Sequence, residues 1–162
     1  MGKTTRVLAR IAVLAGVYVA LTVLPPFNAL GYSAVQVRVS EALAVLPYFG
    51  PWAPWGLYIG CILANLGSPF LLWDVTLGAF ASLIAAILTG HMPKKSLAPL
   101  PPVLLNAVTV SAYVAPLSGL SYWSVVLYIG IGQAIACYGL GYPLLLWVDR
   151  NERLKEVLRG PI

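Results

Sequence analysis

Charge is scarce in this chain. Only 9% of its 162 residues are Asp, Glu, Lys or Arg, against roughly a quarter in soluble domains, which excludes an ordinary water-soluble fold. Histidine is scarcer still: His91 stands alone, beside Lys94 and Lys95, and reads as a solvated loop residue. The two cysteines, Cys61 and Cys137, both fall inside apolar stretches. They make neither a disulfide framework nor a metal site and read as small hydrophobes in helix packing. With one histidine and no nucleophile cluster, a membrane-embedded enzyme acting on lipid lacks its chemistry. No metal or cofactor is expected.

What remains is largely hydrocarbon. Apolar residues make up 60% of the chain and the mean hydropathy is +0.86. Hydrophobic segments lie at about 7–24, 34–49, 53–66, 74–88, 103–117 and 124–148, separated by proline and glycine clusters such as Pro25-Pro26 and Gly67-Ser68-Pro69. They predict an all-α polytopic membrane protein with six transmembrane helices. Several are short against the ~20 residues of a simple span, so tilting, loops that dip inward or the segment boundaries themselves must account for the difference. A single domain is expected, with a helical core at about 7–150 and a basic tail at 151–162. The first segment follows Arg6 and Arg10 and precedes Ala29-Leu30-Gly31, as a cleaved leader would. The later segments are equally hydrophobic, so it reads as a retained helix.

The basic residues give an orientation. Lys3, Arg6 and Arg10, then Lys94 and Lys95, then Arg150, Arg153, Lys155 and Arg159 all fall on one side of a six-span topology. That side, with both termini, is predicted to be cytoplasmic. The net charge of +5 therefore reflects topology and anionic lipid rather than nucleic acid. Trp73 and Trp123 are expected at the outer interface, and Trp52, Trp55 and Trp147 at the inner one.

Against this background the stretch VQVRVSEALAVLP, residues 35–47, is unusual. It alternates apolar and polar residues like a strand, but an isolated strand cannot cross lipid with its backbone unpaired. A helix capped by Ser33, with Gln36 completing a capping box, fits better. Arg38 and Glu41, three apart, then share a face and can pair. Charges inside a membrane cost at least ~2.5 kcal/mol each and rarely persist without a partner or a pathway. Two readings follow: a self-satisfied ion pair, or a solute site with Glu41 as acceptor. Asp74 carries a parallel ambiguity between helix cap and acceptor. Trp73 beside it is a candidate for stacking on a flat solute. Asn65, Asn106 and Gln133 add amides that need partners when buried. Together these groups match the edges of a polar heterocycle. Autonomous proton-coupled transport on Glu41 or Asp74 also fits these residues, as does a structural subunit with no solute.

The first segment also places Ala12, Gly16 and Ala20 on one helical face, permitting close approach by another helix. Gly130, Gly132, Ala136 and Gly139 form a second region of small residues. The opening Gly2-Lys3-Thr4 lacks the upstream glycine of a phosphate-binding loop, and the chain contains no such loop elsewhere.

The runs VQVRVSEALAVLPYFGPWAPWGLYIGCILANLGSP, LWDVTLGAFASLIAAILTG, LPPVLLNA and GIGQAIACYGLGYPLLL resemble the QueT family over about residues 7–150. These are substrate-binding (S) components of energy-coupling factor (ECF) transporters. The resemblance implies a six-helix S-component fold in the bacterial cell membrane and high-affinity uptake of a 7-deazaguanine queuosine precursor. It implies a transmembrane T component and two cytosolic ATPase subunits as partners, with Ala12, Gly16 and Ala20 on the T-component contact. It places the solute site toward the outside, where Gln36, Arg38, Glu41, Asn65, Trp73, Asp74, Asn106 and Gln133 are the candidate binding residues. A guanine-like edge offers a ring N–H and an amine to one carboxylate, Asp74 or Glu41, while Gln133 or Asn106 serves its carbonyl.

Overall fold

The computed structural model describes residues 2–25 and 37–160. Among them the regular structure is entirely helical. The elements are α1 (Lys3–Val23), a 3-10 helix (Val39–Tyr48), α2 (Ala53–Ala64), α3 (Leu71–Gly90), α4 (Leu100–Ser118), α5 (Tyr122–Arg150) and a short terminal α6 (Glu152–Arg159). Gly119 ends α4 in the left-handed conformation that only glycine adopts without strain.

Four of these helices, α1, α3, α4 and α5, are long and apolar enough to cross a membrane. The 3-10 helix and α2 have 10 and 12 residues. At ~2.0 and ~1.5 Å per residue each reaches only about 20 Å, short of a ~30 Å hydrocarbon core. The six apolar segments are thus all helical, but two fall short of full spans. The cap expected at Ser33 and Gln36 lies outside the described residues.

The 3-10 helix is the central element. Residues 40–47 are all buried, as expected for a helix apolar on every side. It packs against α1, α3 and the C-terminal half of α5. Gly141 of α5 lies so close that a Cβ there would sit 2.9 Å from the Ala42 carbonyl oxygen. Leu14, Tyr18, Leu43, Val45, Phe49, Leu57 and Leu145 form the main core around it. A smaller cluster, including Ala107, Val125 and Ile129, joins α4 to α5. Large apolar side chains such as Val13, Phe80, Ile84, Leu104, Leu127 and Ile131 face outward, which suits lipid.

Both ends of the described chain meet at one pole. The Arg10 guanidinium donates to the Gly160 carbonyl at 3.2 Å, and Asp149 pairs with both Lys95 and Lys155. Asn151 caps α6 by accepting from the Leu154 amide at 3.3 Å. Read in sequence as a basic tail, this segment is an amphipathic helix whose Leu154 and Leu158 pack on the core. Trp52, expected at the interface, is buried beneath it and donates to the Leu158 carbonyl at 2.8 Å. Trp55 and Trp147 at this pole, and Trp73 and Trp123 at the other, are exposed as interfacial tryptophans should be.

Candidate functional site

Five elements converge on one cavity toward the pole opposite the basic residues. Helix geometry fixes its depth. Ser82 lies 11 residues into α3, Asn106 lies 12 residues before the end of α4, and Gln133 lies 11 residues into α5. At ~1.5 Å per residue all three sit about 16–18 Å in from that pole and form a floor. Glu41 and Cys61 line the same cavity, each about a turn inward from Arg38 and Asn65. Arg38, Asn65, Asp74 and Tyr113 form the rim.

The structure therefore brings Arg38, Glu41, Asn65, Asp74, Asn106 and Gln133 together around one cavity. Gln36 lies outside the described residues. Trp73 does not line it: it is exposed, and its ring stacks on Tyr113 with centroids 6.0 Å apart and planes at 15°.

Each charged group is held by neutral donors or acceptors. Tyr18 of α1 donates to Glu41 Oε1 at 2.5 Å. One turn on, Thr22 donates to the Tyr18 carbonyl, and the Ser40 hydroxyl lies 2.8 Å from that of Thr22. This ties the first turn of the 3-10 helix to α1. Arg38 Nη1 donates to Asn65 Oδ1 at 3.0 Å, and Asn65 Nδ2 donates to the Cys61 carbonyl at 2.9 Å. Among the described residues the ion pairs all involve Asp149 or Lys155, so Arg38 and Glu41 share the cavity without a direct bridge. The pairing expected from their spacing fails because the backbone is still extended at Arg38 and the helix starts only at Val39.

Asp74 is not a cap. Its helix begins at Leu71, three residues earlier than the sequence signal placed it, and the Asp74 side chain makes no cap hydrogen bond. Instead Ser68 donates to Oδ2 and Tyr113 to Oδ1. Asp74 also opens a π-helical turn, Asp74–Gly78, and a second one, Ile135–Gly141, follows Gln133 in α5. Such turns widen a helix locally and recur at functional sites. A Cβ on Gly78 would sit 2.9 Å from the Tyr113 hydroxyl, so glycine is what lets that hydroxyl reach Asp74.

Tyr18, Ser68, Ser82 and Tyr113 were not singled out from sequence. Tyr18 and Thr22 were the visible signal, polar groups one turn apart in an apolar helix. Nothing local marks Tyr113. Charge adds the decisive pattern. Between Arg10 and Lys94 the charged residues are Arg38, Glu41 and Asp74, and between Lys95 and Asp149 there are none. All three line this cavity.

A family model described as QueT transporter matches residues 8–150. The chain belongs to the QueT transporter family. That range takes in every residue of the cavity and stops before α6. A relative from Lactococcus lactis subsp. cremoris, described as "Queuosine precursor transporter QueT", is 36% identical over 74 residues. The alignment covers 46% of this chain and 43% of that relative, less than half of either. No solved structure matches the chain. A QueT family member is a transporter rather than an enzyme. Among the described residues no group of three or more His, Cys, Asp or Glu side chains could hold a metal ion.

Proposed function

We propose that this chain is the high-affinity, membrane-embedded S component of an ECF importer that takes up a 7-deazaguanine queuosine precursor across the bacterial plasma membrane. The observation that carries this reading is the gathering of all three intramembrane charges, with three buried amides, around one cavity. Charges persist in lipid where they serve a pathway or a ligand. Here no direct ion pair joins them among the described residues.

The floor suits a guanine edge. Glu41 accepts the ring N–H and the exocyclic amine, and Asn106 or Gln133 donates to the carbonyl. The open volume between the side chains is about 40 Å³. That is room for a few waters, at ~10–15 Å³ each, rather than for a bicyclic base. Binding therefore parts the rim, and the residues that move belong to different elements: Arg38, Asn65, Asp74 and Tyr113.

Coupling is assigned to separate subunits. The basic residues at both termini and at Lys94-Lys95 support a cytoplasmic side for all three, with the 3-10 helix and α2 as a short hairpin that brings the apolar segments to six. Ala12 and Gly16 lie on the exposed side of α1, with Ala20 half-buried beside them and the buried Leu14, Ala15, Tyr18 and Thr22 opposite. This leaves a smooth face for a T component. ATP hydrolysis falls to two ATPase subunits, since the chain carries no phosphate-binding loop.

Uptake of labelled 7-deazaguanine base by cells expressing the chain tests the coupling. Deleting the ATPase subunits is expected to reduce uptake to background. Undiminished uptake without them makes the protein a self-sufficient carrier, with Glu41 or Asp74 moving protons.

A further inference from the structure

A groove separate from the solute cavity opens on the flank of α1 at the basic pole. Val13 and Val17 of α1 line it opposite Leu43 and Leu46 of the 3-10 helix, and Arg10 and Leu158 of α6 line its end nearer that pole. It shares no residue with the solute cavity. Its open volume is about 380 Å³, against about 40 Å³ there, so a ligand enters without parting any side chains. The lining side chains are hydrocarbon apart from Trp52 and Arg10. The Trp52 indole N–H is already donated to the Leu158 carbonyl, which leaves the Arg10 guanidinium to meet a polar ligand.

Helix periodicity continues this groove outward as charge. At about 100° per residue, Lys3, Arg6, Arg10, Val13 and Val17 fall within an arc of about 80° on α1. Arg10 lies about 10 Å nearer the pole than Val17, and Lys3 about 10 Å beyond Arg10. A stripe that turns from cationic to aliphatic along the membrane normal matches a phospholipid, with phosphate outward and acyl chain inward. The first acid in the sequence is Glu41, and among the described residues no carboxylate pairs with Lys3, Arg6 or Arg10. Their charge is open to an anion from outside the chain. The end of α6 fixes the mouth of the groove. Arg10 donates to the Gly160 carbonyl at 3.2 Å, which orients the guanidinium and uses one of its N–H groups. A Cβ on Gly160 would collide with that guanidinium, so the approach depends on glycine. Another helix suits the groove less well. Membrane helices approach one another through small residues, and on α1 Ala12, Gly16 and Ala20 occupy a different arc beside the groove. The groove itself is walled by valine and leucine, which one acyl chain fills more closely than a helix about 10 Å across.

We propose that this groove binds one anionic phospholipid: an acyl chain lies between α1 and the 3-10 helix, and Arg10, with Arg6 and Lys3, holds the phosphate. The lipid then bridges α1, the 3-10 helix and α6 where they meet. Native mass spectrometry of the purified full chain in neutral detergent tests this, with phosphatidylglycerol and phosphatidylcholine of the same acyl chains as probes. One phosphatidylglycerol per chain is expected to bind at least about tenfold more tightly than phosphatidylcholine. Arg10→Gln is expected to weaken phosphatidylglycerol about fivefold, the scale of one cation at a membrane surface, and to leave phosphatidylcholine unchanged. Val13 is 66% exposed, so Val13→Trp fills the groove from its open side and is expected to lose both lipids. Glycerol phosphate, which has the headgroup without the chains, is expected not to compete at equal concentration. Equal affinity for the two lipids, or phosphatidylglycerol binding that both substitutions leave intact, would overturn the proposal and leave only a general lipid shell. Competition by glycerol phosphate would remove the groove from the site. A photo-crosslinker at Val17 in native membranes is expected to capture phospholipid; capture of a polypeptide instead would assign the groove to a protein partner and overturn the proposal. The comparison of two lipids needs no variant, so a folding defect in Arg10→Gln cannot mask the answer. None of these readouts depends on the solute.

Discussion

Glu41→Gln is expected to bind 7-deazaguanine ligands roughly 30- to 150-fold more weakly than the unaltered protein, while melting at nearly the same temperature. The substitution keeps the size of the side chain. Its amide oxygen can still accept the Tyr18 hydroxyl, now at 2.5 Å from Oε1, so the link between α1 and the 3-10 helix survives. What changes is the group presented to the ligand. A carboxylate accepting two N–H donors becomes half donor, and one amide hydrogen then faces another. Loss of a charge-assisted contact of this kind removes about 2–3 kcal/mol. Titration of both proteins with the same ligand reads the difference directly. Unchanged affinity would remove Glu41 from the binding floor. A large fall in melting temperature with affinity retained would make its role structural.

Gly16→Leu is expected to abolish uptake in cells and leave ligand binding by the purified chain intact. A Cβ on Gly16 meets nothing within 4 Å, so the leucine extends outward without disturbing this protein. It does obstruct a helix that must pack against Ala12, Gly16 and Ala20 at small-residue distance. Gly60 provides the contrast. A Cβ there would lie 2.8 Å from Tyr18 Cβ, and one on Gly56 3.0 Å from Leu14 Cβ. Gly60→Leu therefore forces α2 from α1, moves Tyr18 away from Glu41, and is expected to lose fold, binding and uptake together. Full uptake by Gly16→Leu would show that α1 is not the docking face. Loss of binding by that variant would show that the residue supports the fold instead.

These two glycines illustrate what could be read from sequence. Both sit in small-residue patterns, and only packing tells which meets its own chain. The long helices were legible because hydropathy alone defines them: segments expected at 7–24, 103–117 and 124–148 appear as Lys3–Val23, Leu100–Ser118 and Tyr122–Arg150. The stretch around Arg38 was harder. Its alternation matches neither an α-helix nor a lipid-exposed strand, and the outcome is a tight 3-10 helix with Pro47 inside it, enclosed by α1, α2, α3 and α5. The start of α3 was misplaced because an aspartate before an apolar run is a helix-start signal. At Asp74 a long-range bond outweighs that local rule. The terminal helix was missed because its basic residues dominate the composition while Leu154 and Leu158, four apart, supply the half-buried stripe that packs on the core.

The site divides in the same way. Arg38, Glu41 and Asp74 stand out because charge is rare in a membrane, so the cavity's charged members were visible from residue type alone. Their partners were not. Arg38 bonds Asn65 across 27 residues, Glu41 bonds Tyr18 across 23, and Asp74 bonds Tyr113 across 39. No local periodicity encodes such pairs, and tyrosine in an apolar helix ordinarily reads as an interfacial anchor.

The most direct measurement is a thermal-shift titration of the purified chain against 7-deazaguanine bases, ordinary purines and common vitamins. A ligand that binds only the folded state at about 100 times its Kd adds about 2.7 kcal/mol of stability. For a chain of this size that is a rise of roughly 5–10 °C. The account predicts that rise with 7-deazaguanine bases and a flat response to the vitamins. No shift at saturating 7-deazaguanine, alongside a clear shift with an unrelated vitamin, would contradict it.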